Sequence, residues 1–361
     1  MQEYRIMLNA PKVCIYSPSE KIWGGGQIYI ENLCRYMNEH DLESYIATSE
    51  PETFSCPTIK IPPVSSKSKR LNHSFSFSRQ LKKSGIQAIV LNDLSSLWLA
   101  PVFKLSGLKT ISLLHLYLQK KNSAGLGHHP TDFNLLRLSS YFCDEVFSVN
   151  KDNLKNFPVK VQFVGNFISP WFFGKSDTEK AYDLAIISRL SKEKNIPLFI
   201  KLVSNLNKKR PIKALILGQG EEKELIEQLI EQYALQDVID LKDWANRDEL
   251  PQIYDSIKCF AITSYHEGFA TTLLEAHARG IPAISTKTAG FCGEFILGFN
   301  HPTGLVFNPE DIENLTFQDE VLKLIENSNN YYDNCINKAK LFSEDKVLGK
   351  ITSSIKILLN R

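Results

Sequence analysis

No apolar run in this chain approaches the roughly 18–20 residues that a membrane-spanning helix needs, so an integral membrane protein is excluded. The first residues, Met-Gln-Glu-Tyr-Arg-Ile-Met, carry an early acid and no long apolar core, and no secretory signal is expected there. Clustered cysteine is missing too. The 7 cysteines stand at 14, 34, 56, 143, 259, 292 and 335, an odd number with no two close enough to form a metal knuckle. Reduced thiols in a cytoplasmic protein are the expectation. The sequence contains no internal repeat and no low-complexity segment. It also lacks an overall charge of one sign, with 42 Lys and Arg against 40 Asp and Glu.

What is there begins with an ordinary bulk composition, 43% hydrophobic and 23% charged, which rules out a disordered chain, a collagen-like repeat and a coiled coil. At roughly 100–200 residues per domain, 361 residues suggest two domains. The charge is unevenly spread. From Phe54 to Thr131 there are eleven Lys or Arg and a single acid, Asp93. The second half is acidic in compensation, and the basic first half points to an anionic partner, with a plain solvated loop as the rival reading.

Strand and helix patterns alternate along the chain. Short apolar strands are expected at Val13–Tyr16, Ala88–Leu91, Lys109–Leu114 and Glu145–Val149, with a helix over about 27–38 that places Ile30, Leu33, Cys34 and Met37 on one face. The rhythm restarts near Tyr182. Strands are expected at Leu184–Ser188, Ala214–Leu217, Val238–Leu241, Cys259–Thr263 and Pro282–Ser285. A helix from Pro197 and another over 221–235, with Leu225, Ile226, Leu229, Ile230 and Tyr233 inward, lie between them. Two βα series imply an α/β protein of two doubly wound domains, with the boundary in the irregular stretch 165–180.

The most informative stretch is Ser264–Ser285, SYHEGFATTLLEAHARGIPAIS. Here a strand ends, Glu267-Gly268-Phe269 turns, and a helix begins near Ala270–Thr272 and stops before Gly280. Ligands of open α/β sheets bind at the carboxyl ends of strands, where a helix N-terminus offers unpaired N–H groups to an anion. Two carboxylates, Glu267 and Glu275, flank that anion site. They would repel the anion unless they hold something neutral and rich in hydroxyls, such as a sugar or a ribose.

With Gly-Ile-Pro and a second strand following, this arrangement resembles the retaining family 4 glycosyltransferases of the GT-B fold, most strongly from Tyr182 to about Leu305. Ser188-Arg189-Leu190-Ser191-Lys192-Glu193-Lys194-Asn195 is similar to the family's strand-end Arg and downstream Lys, which hold the donor diphosphate. Gly218-Gln219-Gly220 is similar to the turn beneath the nucleotide. Leu241-Lys242-Asp243-Trp244 resembles the loop that backs the base, with Asp243 where Gly is usual. Thr288-Ala289-Gly290 with Glu294 resembles the Gly-Gly-x-x-Glu segment near the donor sugar, with Ala289 replacing the first Gly. Gly24-Gly25-Gly26 resembles the glycine loop after the first strand, and it is not a dinucleotide fingerprint. His115 closes a strand where the family places a His near the reacting sugar, although Leu116 follows where an Asp is common. His128-His129 has no metal partner at useful spacing and reads as loop. Asp-x-Asp occurs nowhere, which argues against the metal-dependent GT-A class.

The resemblance implies two facing Rossmann-like domains with an interdomain cleft: 1–168 for the acceptor, 169–340 for the nucleotide-sugar donor, and a C-terminal helix over 341–361 packing back toward the first. It implies a retaining glycosyltransferase with neither metal nor cofactor, moving a hexose or N-acetylhexosamine from a nucleotide-diphosphate sugar, UDP favoured, to a saccharide. Arg189, Lys194, Glu267 and His115 are the implied catalytic group. Gly25, Gly26, Gly218, Trp244, Phe269, Ala270, Thr271, Thr272, Glu275 and Gly290 are the implied donor contacts. The basic first half favours a lipid-linked acceptor, as in O-antigen or capsule assembly at the inner face of the cytoplasmic membrane. Nucleic acid is not an expected partner. Within 66–84, cations interleaved with Leu71, Phe75, Phe77 and Leu81 suggest contact with an anionic membrane if the segment is helical. Two other readings stay open: a nucleotide-sugar 2-epimerase on the same fold, and a non-catalytic sugar-binding or scaffold protein.

Overall fold

The computed structural model describes residues 10–18, 25–63, 67–118, 130–175, 178–299 and 301–361. They form two compact units, one running to Gly165 and completed by Asp345–Arg361, the other Asn166–Glu344. Gly24 and His128-His129 lie outside the described residues.

The first unit is built on strands β1 (Lys12–Tyr16), β2 (Glu43–Thr48), β3 (Thr58–Lys60), β4 (Ile86–Asn92), β5 (Lys109–Leu114), β6 (Glu145–Ser148) and β7 (Val161–Phe163). They pair in the order β3-β2-β1-β4-β5-β6-β7, all parallel. In β1 the residues Val13, Cys14 and Ile15 are wholly buried, as expected of a strand covered on both faces. The helix Gly25–Glu39 buries Ile30, Leu33, Cys34 and Met37, the face that the helical spacing predicts.

The second unit carries β8 (Tyr182–Ile187), β9 (Ala214–Leu217), β10 (Ile239–Lys242), β11 (Ile257–Ile262), β12 (Ala283–Thr286) and β13 (Gly304–Phe307), in the parallel order β10-β9-β8-β11-β12-β13. Each sheet thus starts in its middle, grows to one side, and resumes on the other, between β1 and β4 in the first and between β8 and β11 in the second. The α/β class of two doubly wound domains is what the sequence pattern predicts.

Three expectations need correction. β2, β3, β7 and β13 add to the strands that the sequence pattern predicts; β3, β7 and β13 are sheet edges of three or four residues, where a single neighbour demands no long apolar run. Leu225 points out, 43% exposed, because the helix Lys223–Gln232 turns only Ile226 and Ile230 fully inward. The basic segment is a helix, Lys67–Lys83, but its apolar residues do not act together. Phe77 and Leu81 pack into the first unit's core, and only Leu71 and Phe75 face outward. All seven cysteines are free thiols, six of them buried.

Candidate active site

The chain reversal between β8 and β11 opens a crevice at the carboxyl ends of these two strands, the place where open α/β sheets take ligands. After β8 the chain passes Arg189 and enters a short 3-10 turn, Lys192–Lys194, ended by Asn195 in the left-handed region at φ 50°. Two bonds tie this loop to the end of β11: Thr263 Oγ1 donates to the Lys194 carbonyl at 2.9 Å, and the Tyr265 N–H to the Glu193 carbonyl at 2.9 Å. Lys194 and Glu267 are thereby brought side by side, and the Lys194 ammonium donates to the Glu267 carboxylate. The two side chains are about a fifth exposed, at 21% and 19%. Arg189 pairs with Glu193 at 2.6 Å and keeps most of its guanidinium in solvent. The loops that carry Arg189, Lys194 and Glu267, 78 residues apart at the extremes, are thus joined at the ends of two neighbouring strands.

The turn after β11 is braced from β12. Thr286 and Thr288 hydroxyls both donate to the Ser264 carbonyl, at 2.8 and 3.0 Å. Gly290 lies at φ +55°, and a Cβ there would sit 2.0 Å from the Glu267 carbonyl oxygen, so only glycine lets the two loops meet. The Phe291 N–H completes the contact, donating to the Gly268 carbonyl at 3.1 Å. Below Glu267 the helix Thr271–Ala278 begins with Ala270 as its N-cap, which has no side chain able to cap it. The first-turn N–H groups and the positive end of the helix dipole are therefore directed at the crevice from Thr271 and Thr272. The Ala270 N–H instead meets the thiol of Cys292 at 3.4 Å.

Phe269 differs from the expectation. Its ring is buried edge-on among Phe291, Phe295 and Phe342, so a ligand could meet only its backbone. The Phe269 carbonyl is already engaged by the Asn166 amide, which anchors the turn to the start of the second unit. Glu275, one helical turn in, accepts a 2.7 Å bond from the Tyr254 hydroxyl. Burial raises the Glu275 carboxyl above its ordinary range, while the Tyr254 hydrogen bond and the Arg247 charge oppose that rise. Gly280 ends the helix in the left-handed conformation, φ +75°, as its position predicts.

Gly218 and Gly220 belong to the same crevice. A Cβ at Gly218 would fall 1.8 Å from the Ser188 carbonyl oxygen, and one at Gly220 2.2 Å from that of Leu190. The turn after β9 therefore lies against the loop that carries Arg189, and the Leu190 N–H donates to the Gln219 carbonyl at 2.8 Å. Trp244 presents its ring beside Gly218 and is 58% exposed, a flat apolar surface without a protein partner over most of its area. Asp243 is turned away and pairs with Lys223 at 2.8 Å.

The first unit has its own cluster at the carboxyl ends of β4 and β5. His115 Nε2 lies 3.0 Å from Asn92 Oδ1, and its ring packs edge-on against Tyr29 at 4.9 Å between centroids. Gly25 and Gly26 open the helix beside it, and a Cβ at Gly26 would contact the His115 ring at 3.8 Å. Burial lowers the His115 pKa, with Asp93 opposing, so the imidazole is neutral near pH 7. Tyr254, Cys292 and Asn92 escaped the sequence reading because each meets its partner from more than twenty residues away, and only the topology brings them together. Among the described residues no three His, Cys, Asp or Glu side chains converge on a metal-sized site.

Residues 169–342 match the sequence profile of the family described as glycosyl transferases group 1. A stretch of 110 residues is 37% identical to the GtfA subunit of UDP-N-acetylglucosamine–peptide N-acetylglucosaminyltransferase from Streptococcus pneumoniae; it covers 30% of this chain and 21% of that subunit, so the chain spans about a fifth of that relative's length. Over 285 residues, 76% of this chain and 75% of the relative, it is 25% identical to a Campylobacter jejuni protein. That protein is named GalNAc-alpha-(1->4)-GalNAc-alpha-(1->3)-diNAcBac-PP-undecaprenol alpha-1,4-N-acetyl-D-galactosaminyltransferase. The Anabaena protein Alr3699/HepE, solved in complex with UDP, superposes at a TM-score of 0.76 with 14% identity, over 96% of this chain and 99% of that one. The fold is shared across both units, and residues 169–342, just under half of the chain, carry the sequence pattern of the group 1 glycosyl transferases.

Proposed function

We propose that the protein is a retaining glycosyltransferase that needs no metal and transfers a hexose or N-acetylhexosamine from a UDP-sugar to a lipid-linked saccharide in surface-glycan assembly. The observation that carries this reading is the convergence of Arg189, Lys194, Glu267 and the uncapped helix start at Thr271–Thr272 on the switch point of the second sheet. Two cations and a set of backbone N–H groups fixed in place stabilise a leaving diphosphate without reorganising when charge develops on it. Glu267, oriented by Lys194, accepts hydrogen bonds from the donor sugar's hydroxyls. Glu275, oriented by Tyr254, does the same for the ribose, and Trp244 supplies a face for the base. The acceptor hydroxyl attacks from the side on which the diphosphate departs, and a phosphate oxygen takes its proton. The neutral His115 is assigned the contact near the reacting carbon that the family resemblance gives it. The protein contributes position and fixed charge rather than a covalent nucleophile.

The lipid-linked acceptor draws on the Campylobacter relative, whose name includes an undecaprenol diphosphate carrier, and on the basic helix Lys67–Lys83 with Leu71 and Phe75 outward. Among the described residues no helix is long and apolar enough to cross a membrane, so the proposed contact is peripheral, at the inner face of the cytoplasmic membrane. The deciding experiment incubates the purified protein with UDP-glucose, UDP-N-acetylglucosamine and UDP-N-acetylgalactosamine, with and without EDTA, and follows the anomeric couplings by NMR. Transfer or slow donor hydrolysis that survives EDTA and keeps the donor's configuration is expected. An epimerised donor, an inverted product, or activity lost to EDTA and restored by Mn²⁺ would overturn the reading.

A further inference from the structure

The opposite end of the second sheet holds a cavity of about 270 Å³ that the proposed reaction does not use. It is lined from the amino ends of three strands. Lys180 precedes β8, Lys258 is the second residue of β11, and Gly280-Ile281-Pro282 lead into β12. Strands of six residues at about 3.3 Å per residue put it roughly 20 Å from the loop of Arg189 and Lys194.

Its lining is strongly cationic. Lys175, Lys180, Lys258 and Arg279 face it, and among the described residues Asp255 is the one carboxylate that does. Asp255 is committed to Arg279, accepting from its Nε at 2.8 Å and again from its Nη2, in a pair that is almost wholly buried. Asp183, outside the cavity, pairs with Lys258 at 2.9 Å. Two positive charges therefore remain in excess over these carboxylates. Lys180 holds the Ile257 carbonyl at 2.8 Å and is surrounded by the other cations; burial lowers its pKa, the Arg279, Lys175 and Lys258 charges push the same way, and Asp255 opposes them. Asp255 offsets part of this repulsion, and an anion entering the cavity would offset more of it. One wall is aromatic: the Lys175 ammonium lies 5.2 Å from the centroid of the Tyr332 ring, and that ring packs where a Cβ of Gly280 would otherwise be.

We propose that this cavity binds a small phosphomonoester, its phosphate among Lys175, Lys180 and Lys258 and its organic body against Tyr332. The excess of two positive charges among the described residues matches a phosphate dianion. Lysines suit it as mobile point-charge donors. The volume lies just below that of typical small-ligand pockets, which fits a phosphorylated sugar or smaller and excludes a nucleotide sugar.

The test must separate this site from the donor end, which also favours phosphate. Isothermal titration with inorganic phosphate and with glucose 6-phosphate, at constant ionic strength, is run on the full chain carrying Arg189→Ala and Lys194→Ala. Saturable binding is expected to persist in that background, with glucose 6-phosphate at least as tight as phosphate. Adding Lys175→Gln or Lys180→Gln should weaken it about tenfold each, the loss of one charge-assisted hydrogen bond. Lys175 is exposed, so its variant folds and decides the matter if Lys180→Gln does not. Absence of saturable binding, a dissociation constant unmoved by Lys175→Gln, or phosphate binding from which the sugar phosphate is excluded would each overturn the proposal.

Discussion

Lys194 and Glu267 share a hydrogen bond at the end of the crevice, and both remain partly solvated. An ion pair of that kind is worth about 0–1 kcal/mol to the fold. A fixed cation at a developing diphosphate is worth far more, on the order of 100- to 1000-fold in rate. Lys194→Ala and Arg189→Ala are therefore each expected to cut kcat strongly while leaving the melting temperature within a few degrees of wild type. Calorimetry alongside donor turnover checks both halves, and near-normal turnover in both variants would remove the diphosphate assignment. Glu275 poses the opposite balance. Its carboxyl is raised by burial, so the folded state holds its proton to higher pH than the unfolded chain does. Stability from this residue is therefore present at low pH and lost as pH rises through the raised value. Glu275→Gln should raise the melting temperature more at pH 8 than at pH 5 while weakening UDP-sugar binding, so an equal shift at both pH values would contradict the burial argument. Residues of this sort mark the limit of what the sequence can tell. The run Glu267-Gly268-Phe269 locates a strand-end turn, but nothing in three consecutive letters says that Glu267 looks outward while Phe269 drops into an aromatic core. The bond from Tyr254 to Glu275 is set by the packing of separate elements and leaves no mark in local spacing.

The helix Thr271–Ala278 has two ends with different duties, and its far end is held by a buried polar network. His277 Nε2 lies 2.8 Å from Thr303 Oγ1, and the Lys338 ammonium donates to that hydroxyl at 3.3 Å and to the Phe295 carbonyl at 2.8 Å. Burial, with the Lys338 charge in support, pushes the His277 pKa down from 6.5 to about 3. Below pH 6.5 the unfolded chain takes up a proton that the folded chain refuses, so stability falls as pH drops from 6.5 toward 3. His277→Gln, which cannot titrate, should flatten that part of the unfolding curve, and thermal melts between pH 4 and pH 8 would measure it. The basic helix Lys67–Lys83 divides its aromatic residues in the same manner. Phe77 is 2% exposed and Phe75 is 45% exposed. Phe77→Ala should cost about 3–5 kcal/mol in stability, and Phe75→Ala almost nothing. On the proposed membrane contact the order should reverse in sedimentation with anionic vesicles: Phe75→Ala is expected to weaken binding, as are Gln substitutions at Lys67, Lys69, Arg70, Lys82 and Lys83. Cations near such a surface contribute roughly 1 kcal/mol each, so high salt should abolish the binding. Vesicle binding indifferent to charge, salt and these changes would leave the helix a solvated face. Helical elements with a continuous apolar stripe, such as Gly25–Glu39, were legible from spacing. This one was not, because Phe75 and Phe77 alternate as a strand would and interspersed serines blur the period.

In the molecule as a whole, each sheet's central strands announce themselves as continuous apolar runs, and two such series predict two units. The strand order, and hence the switch point that gathers Arg189, Lys194 and Glu267, follows from the βαβ rhythm rather than from any single residue. The membership of the C-terminal segment is a long-range fact of another kind. Asp345–Arg361 counts with the first unit although it follows the second in sequence. In its helix, Glu344–Leu359, the side chains of Val347, Leu348, Ile351, Ile355 and Leu358 are buried. Lys350 donates to the Phe163 carbonyl at 2.9 Å, and Gly349 lies against the Tyr36 hydroxyl. Five buried aliphatic side chains at about 1.5–3 kcal/mol each amount to as much as the roughly 5–15 kcal/mol that holds a typical domain together. A chain ended at Glu344 should therefore lose the cooperative unfolding transition of its first unit. Residues 166–344, a contiguous stretch with its own core, should fold alone and keep UDP affinity, because Arg189, Lys194, Trp244 and Glu275 all lie within it. Calorimetry of the two truncated proteins with and without UDP separates the cases. A first unit that still melts cooperatively without Asp345–Arg361 would show that this helix is not part of its core. A 166–344 fragment that folds but ignores UDP would place the nucleotide contacts elsewhere than on the second sheet's switch point.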